Sequence, residues 1–224
     1  MKLSKQLLAG TAALALGAGA FVPAANAEIT ADVGVASSYL WRGYDLGSGT
    51  PAVFGDVGVS ASGFYAGIWG SSGDTGAGTE YDLYGGYNGS VGDFSYGLNV
   101  TSYVYPSGPG YTDGGTDVGD LMEGILTLGY GPVTLNYYDN LEGADGYTYT
   151  TLAATFGKFT GLLGAHKGDT NEAVHLNLTY AYNDNLSFTV SKIISSNDGD
   201  IVGGEMVVVD DDPLFVVTYA IPLQ

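Results

Sequence analysis

From residue 31 onward the chain alternates apolar and polar positions with a period of two. Ala31, Val33, Val35, Tyr39 and Trp41 are apolar, with Asp32, Gly34, Ser38 and Arg42 between them. Phe94, Tyr96, Leu98 and Val100 interleave with Asp93, Ser95, Gly97 and Asn99. The same rhythm runs through Val174–Tyr182 and Phe215–Leu223. Period two, with β-branched and aromatic residues on the apolar side, is the signature of strands. No 3.6-residue stripe appears after residue 27. The pattern predicts an all-β chain of about twelve strands, near 31–44, 52–60, 64–70, 79–88, 93–105, 119–129, 132–139, 147–156, 159–167, 173–182, 186–194 and 213–223.

The connections between these strands fall into two classes. After every second strand they are tight: Ala61-Ser62-Gly63, Gly89 to Gly92, Tyr130-Gly131, Gly157-Lys158 and Asn183-Asp184-Asn185. After the others they are mostly longer and acidic, as in Ser71 to Gly78, Pro106 to Val118 and Ser195 to Asp212. Short turns at one end and long loops at the other belong to outer-membrane barrels, and an even strand count returns both termini to the turn end. A soluble β-sandwich also alternates, but it has no reason to segregate its connections by length. A transmembrane antiparallel β-barrel also gives every backbone N–H and C=O a partner where lipid offers none.

Composition sharpens this picture. Residues 1–27 combine Lys2 and Lys5, an apolar run from Leu7 to Val22, and Ala25-Asn26-Ala27. This is the three-part plan of a cleaved secretory signal, leaving residues 28–224 as a barrel exported to the bacterial outer membrane. Without the signal, 24 acids face four bases. So acidic a surface excludes nucleic acid, whose phosphates require clustered Lys and Arg. There is no cysteine, so a closed sheet rather than a disulfide framework must hold the fold.

Ser38-Tyr39-Leu40-Trp41-Arg42-Gly43, Thr50-Pro51-Ala52 and Ser62-Gly63-Phe64-Tyr65-Ala66-Gly67-Ile68-Trp69-Gly70-Ser71 form a distinctive set. With Glu80-Tyr81-Asp82-Leu83-Tyr84-Gly85-Gly86-Tyr87 and Tyr103-Val104-Tyr105-Pro106, they resemble the TorF-like family of proteobacterial porin-like proteins over roughly 38–106. The resemblance implies an outer-membrane barrel and no particular solute. Barrels of that kind end on an aromatic residue, and Leu223-Gln224 stands there instead.

The polar face carries the candidate chemistry. Arg42, Asp56, Glu80, Asp82, Asp93 and Glu123, together with Asp32, are expected to line a lumen, where charged side chains set ion preference. Alternation does not distinguish an open lumen from a filled one: eight strands enclose packed side chains and sixteen enclose water. Tyr39, Trp41, Trp69, Tyr130, Tyr137, Tyr147 and Tyr219 are expected in the aromatic girdles at the headgroup levels; a sugar-binding slide inside the lumen is the alternative.

Catalysis finds little support, with no thiol and only His166 and His175. Neither histidine belongs to a motif that pairs a base with a nucleophile, so no enzyme is expected. Asn197-Asp198-Gly199-Asp200 and Asp210-Asp211-Asp212 lack the Gly and Glu of a calcium-binding loop. They are expected to be solvated, with a weak divalent bridge to lipopolysaccharide phosphate as the alternative. No cofactor or metal centre is expected. The expected partners are the lipid bilayer, lipopolysaccharide and the barrel-assembly machinery. The expected function is a narrow passive channel for small hydrophilic solutes that leans toward cations. The alternative is a non-conducting barrel with a structural or surface-interaction role carried by its acidic outer loops.

Overall fold

The computed structural model describes residues 27–111, 117–144, 146–168, 172–197, 201–202, 205–206 and 212–223. The predicted signal lies outside them except for Ala27, as does most of the acidic stretch between 198 and 211. Among the described residues twelve antiparallel strands form a closed barrel. They are β1 Glu28–Ala36, β2 Ala52–Ala61, β3 Phe64–Asp74, β4 Gly78–Val91, β5 Phe94–Val104 and β6 Met122–Tyr130. The second half comprises β7 Val133–Glu142, β8 Thr148–Phe156, β9 Phe159–Lys167, β10 Ala173–Ala181, β11 Leu186–Ser196 and β12 Leu214–Pro222. Each strand pairs with the next, and β1 closes the ring on β12 with Val33 opposite Ile221. Two-residue ribbons pair Leu40–Trp41 with Tyr44–Asp45 and Ile201–Val202 with Glu205–Met206.

The side chains sort by parity. Val35, Val57, Leu98, Leu152, Leu176 and Phe215 point outward and are exposed, while Thr101, Thr151, Asn177, Thr189 and Ser191 point inward and are buried. An apolar exterior around a polar interior is the reverse of a water-soluble domain and suits a hydrocarbon surround. The chain is an outer-membrane-type β-barrel.

Most turns fall where the pattern predicts, but β3 runs past 70 to Asp74, and β4 continues through the predicted turn at Gly89 to Gly92 as far as Val91, which leaves the turn at Gly92-Asp93. Ala61 pairs with Phe64, Val91 with Phe94, Tyr130 with Val133 and Phe156 with Phe159, each across two residues. These define a turn end; long connections define a loop end. One predicted strand fails. The first, 31–44, leaves the wall after Ala36, and the chain turns inward instead of continuing along the sheet. Tyr39 and Trp41 prolong the alternation without belonging to the barrel wall.

Candidate functional site: a hairpin inside the barrel

Strand spacing of about 4.8 Å and a tilt of about 40° give twelve strands a backbone radius of about 12 Å. That leaves room for a two-stranded ribbon when the inward side chains are small. The loop between β1 and β2 supplies one. Trp41 pairs with Tyr44 across Arg42-Gly43, where both residues have positive φ, 47° and 95°. Two positive-φ residues match the type I′ turn that tight hairpins favour. Gly43 is required a second time by space: a Cβ there would lie 2.6 Å from Cγ of His175 on β10. Asp45 holds the base of the hairpin, accepting hydrogen bonds from the Ser38 hydroxyl, Gly47 N at 3.1 Å and Gly49 N at 3.0 Å.

The tip carries Arg42, 4% exposed. Its Nη1 and Nη2 donate to the two carboxylate oxygens of Glu123 on β6, at 2.8 and 2.5 Å. Oε2 of Glu123 also accepts from the Tyr103 hydroxyl at 2.5 Å. The guanidinium lies 4.7, 4.6, 5.7 and 4.7 Å from the ring centres of Trp41, Tyr138, Tyr147 and Tyr149, inside the range of cation–π attraction. Nη1 donates to the Tyr147 hydroxyl at 3.1 Å, and that hydroxyl donates to Nδ1 of His166 at 2.8 Å. Nε2 of His166 returns the chain by donating to the Arg42 carbonyl at 2.7 Å. His175 donates from Nδ1 to Asn177 at 3.0 Å and accepts the Tyr149 hydroxyl at Nε2, 2.7 Å away. Both tautomers follow from these partners: a carbonyl or amide oxygen demands N–H, leaving the other nitrogen to accept.

A second latch lies beside the first. Tyr39 donates to Glu80 on β4 at 2.6 Å, and Tyr105 donates to the other oxygen at 3.2 Å. Burial pushes the Tyr39 hydroxyl well above its ordinary value, and the Glu80 and Asp82 carboxylates push it the same way, so it stays protonated and donates. For Arg42 burial pulls downward, and the Glu123 carboxylate together with Tyr147 and Tyr103 outweighs it, keeping the guanidinium charged. Glu80, Asp82 and Glu123 are each 3% exposed, so three carboxylates share one enclosed layer with a single arginine. Oδ1 of Asp82 and Nε of Arg42 are buried without hydrogen-bond partners among the described residues.

The sequence-predicted lumen residues divide accordingly. Glu80, Asp82 and Glu123 face inward as expected and meet the hairpin. Arg42 is inside too, but on the hairpin tip rather than the wall. Asp56 faces inward opposite Asp32, is half-exposed, and accepts the Tyr84 hydroxyl at 2.7 Å rather than bonding the hairpin. Asp93 occupies the Gly92-Asp93 turn and is exposed, so it does not line the lumen. Of the predicted girdle, Tyr130, Tyr137 and Tyr219 point outward and are exposed. Tyr39, Trp41, Trp69 and Tyr147 are corrected: Tyr39 packs against inward Trp69 at 6.2 Å, and Trp41 and Tyr147 surround Arg42. Tyr103, Tyr138, Tyr149, His166 and His175 complete the site and were not singled out as members of it. The signal was parity, because Tyr149 shares its face with Thr151, Tyr138 with Asn136 and Tyr103 with Thr101.

Among solved structures, the outer membrane phospholipase A from Escherichia coli is similar at 10% identity, with a TM-score of 0.45, over 88% of this chain and 90% of that one. A likeness so distant says nothing about activity. No curated protein matches the sequence. The profile of a bacterial protein family of unknown function, Gcw_chp, matches residues 20–214, which include the inward hairpin and the wall strands β1 to β11, and the chain belongs to that family.

Proposed function

We propose that the protein is a narrow porin-type channel of the bacterial outer membrane for small hydrophilic solutes, preferring cations, with the first loop as its eyelet. The inward hairpin carries this proposal, because it brings Arg42 across the lumen to Glu123, with the buried acids Glu80 and Asp82 beside it. Asp32 and Asp56 continue the negative lining toward the turn end. A carboxylate 4 Å from a cation contributes about 1 kcal/mol in bulk water and more in a confined site. The resemblance of residues 38–106 to TorF-like porin-like proteins supports the same conclusion. His166 and His175 are each held by neutral partners and no serine, which supports positional rather than catalytic roles.

The second proposal is a non-conducting barrel with a structural or surface-interaction role carried by its acidic outer loops, and tight burial at the loop end favours it. The hairpin layer leaves Thr101, His175 and Ser191 at 0–1% exposure. Planar-bilayer recording of the detergent-folded protein separates the two. A small conductance with a cation-selective reversal potential is expected for the channel. Silence from a demonstrably folded barrel would select the second.

A further inference from the structure

The cage around Arg42 belongs to the wall, while its occupant does not. Glu123, Tyr103, Tyr138 and Tyr149 stand on β6, β5, β7 and β8, and Tyr147 immediately precedes β8. They stay in place if the hairpin leaves. What remains is a carboxylate presenting both oxygens, flanked by aromatic faces on several sides and by a Tyr103 hydroxyl that orients it. This constellation fits a planar, delocalised, weakly hydrated cation that bonds two-pronged and stacks. A hydrated sodium or potassium ion does neither, and an ammonium makes no matching fork.

We propose that this cage is a recognition site for guanidinium-bearing solutes, occupied by Arg42 until such a solute takes its place. Arg42 is an imperfect occupant. Its backbone holds a positive φ of 47° that non-glycine residues seldom adopt, and its buried Nε has no hydrogen-bond partner. A free guanidinium solute carries no backbone constraint and is free to turn its substituted N–H toward another acceptor. Asp82 is the register partner of Tyr103, and its buried Oδ1 likewise lacks a partner. It offers an acceptor for a second cationic group, so a solute with a guanidinium and an amine, such as agmatine, uses both features. The proposal names the solute class of the channel described above and rests on that function only for passage through the barrel, since binding is measured without it.

The test is calorimetric titration of detergent-folded Arg42→Ala and wild-type protein with agmatine, with potassium chloride and urea as the charged and neutral controls. Agmatine is expected to bind Arg42→Ala at least tenfold more tightly than wild type, and Arg42→Ala/Glu123→Gln to lose that gain. The Arg42→Lys variant keeps a charge in the cage without the fork, and it should bind agmatine more tightly than wild type does. It also serves where Arg42→Ala fails to fold. Trp41 lies over the guanidinium, so in wild type a high agmatine concentration should shift tryptophan emission as the hairpin unseats. Equal affinity of wild type and both Arg42 variants would overturn the proposal, as would binding indifferent to Glu123 or matched by urea. Binding as expected in a protein silent in bilayers would establish the cage and remove the channel.

Discussion

The two halves of the barrel interior are built from the same inward parity and differ in what fills them. Toward the loop end, tyrosine, histidine and glutamate side chains close around a hairpin, and Arg42 and Glu123 are paired and nearly inaccessible. Toward the turn end the wall carries shorter polar rungs. Thr127 bonds Asn136, Asn136 bonds Thr151, and Asn99 bonds Tyr65, while Asp32 and Asp56 stay half-exposed. The difference teaches that alternation decides which side chains face inward, and that an inserted loop decides whether the space they surround is filled. Substitutions in the upper half should disturb stability and closure together, and those in the lower half should alter selectivity with little effect on folding.

The largest effect is expected at the buried ion pair. Removing one partner of such a pair costs about 3–5 kcal/mol, because the remaining charge is left uncompensated. Glu123→Gln should therefore approach that loss in urea unfolding, or reveal the hairpin leaving the barrel through red-shifted Trp41 emission and new protease cleavage within residues 37–51. A smaller loss, about 1–3 kcal/mol, is expected for Gly43→Ala, where the added Cβ meets His175 and the φ of 95° is unfavourable for alanine. An intermediate emission shift would accompany it. Tyr39→Phe should cost about 1–2 kcal/mol, since it removes one hydrogen bond to buried Glu80 and leaves Tyr105 on the other oxygen. An unfolding curve identical to wild type would mean that this second latch contributes nothing.

The smallest stability change belongs to the lower half. Asp32→Asn/Asp56→Asn should unfold within about 0.5 kcal/mol of wild type, as is usual for accessible positions. It should also reduce cation preference in reversal-potential measurements at low salt, with the difference fading as ionic strength rises. Equal selectivity in the double variant would remove these acids from the conduction path.

Most of the wall was legible in the residues. Strands 52–60, 147–156 and 159–167 correspond closely to β2, β8 and β9, because a half-buried strand repeats every two residues and a two-residue turn leaves no slack. Inward acids at 56, 80, 82 and 123 follow from the same parity. The hairpin was not legible from alternation, because Tyr39 and Trp41 continue the rhythm of β1 after the chain has left the sheet. The local clue was Arg42-Gly43 between two aromatic residues, a two-residue turn placed where a continuous strand was expected. Residue type and a place toward the strand ends point Trp69 and Tyr147 to the lipid side. Their parity with Ser71 and with Tyr149 and Thr151 puts them inside, which shows that in a barrel the face outranks the preference of the side chain.

The central claim is that the hairpin narrows the loop end of an otherwise wider lumen. Its most direct test replaces residues 38–47 with a short Gly-Ser linker, leaving the twelve wall strands intact, and compares single-channel conductance with wild type in the same bilayer. Folding is checked by the gel shift between heated and unheated samples. A several-fold larger conductance is expected from the loop-replaced barrel. A folded loop-replaced barrel with the same conductance as wild type, or with none, would contradict the claim.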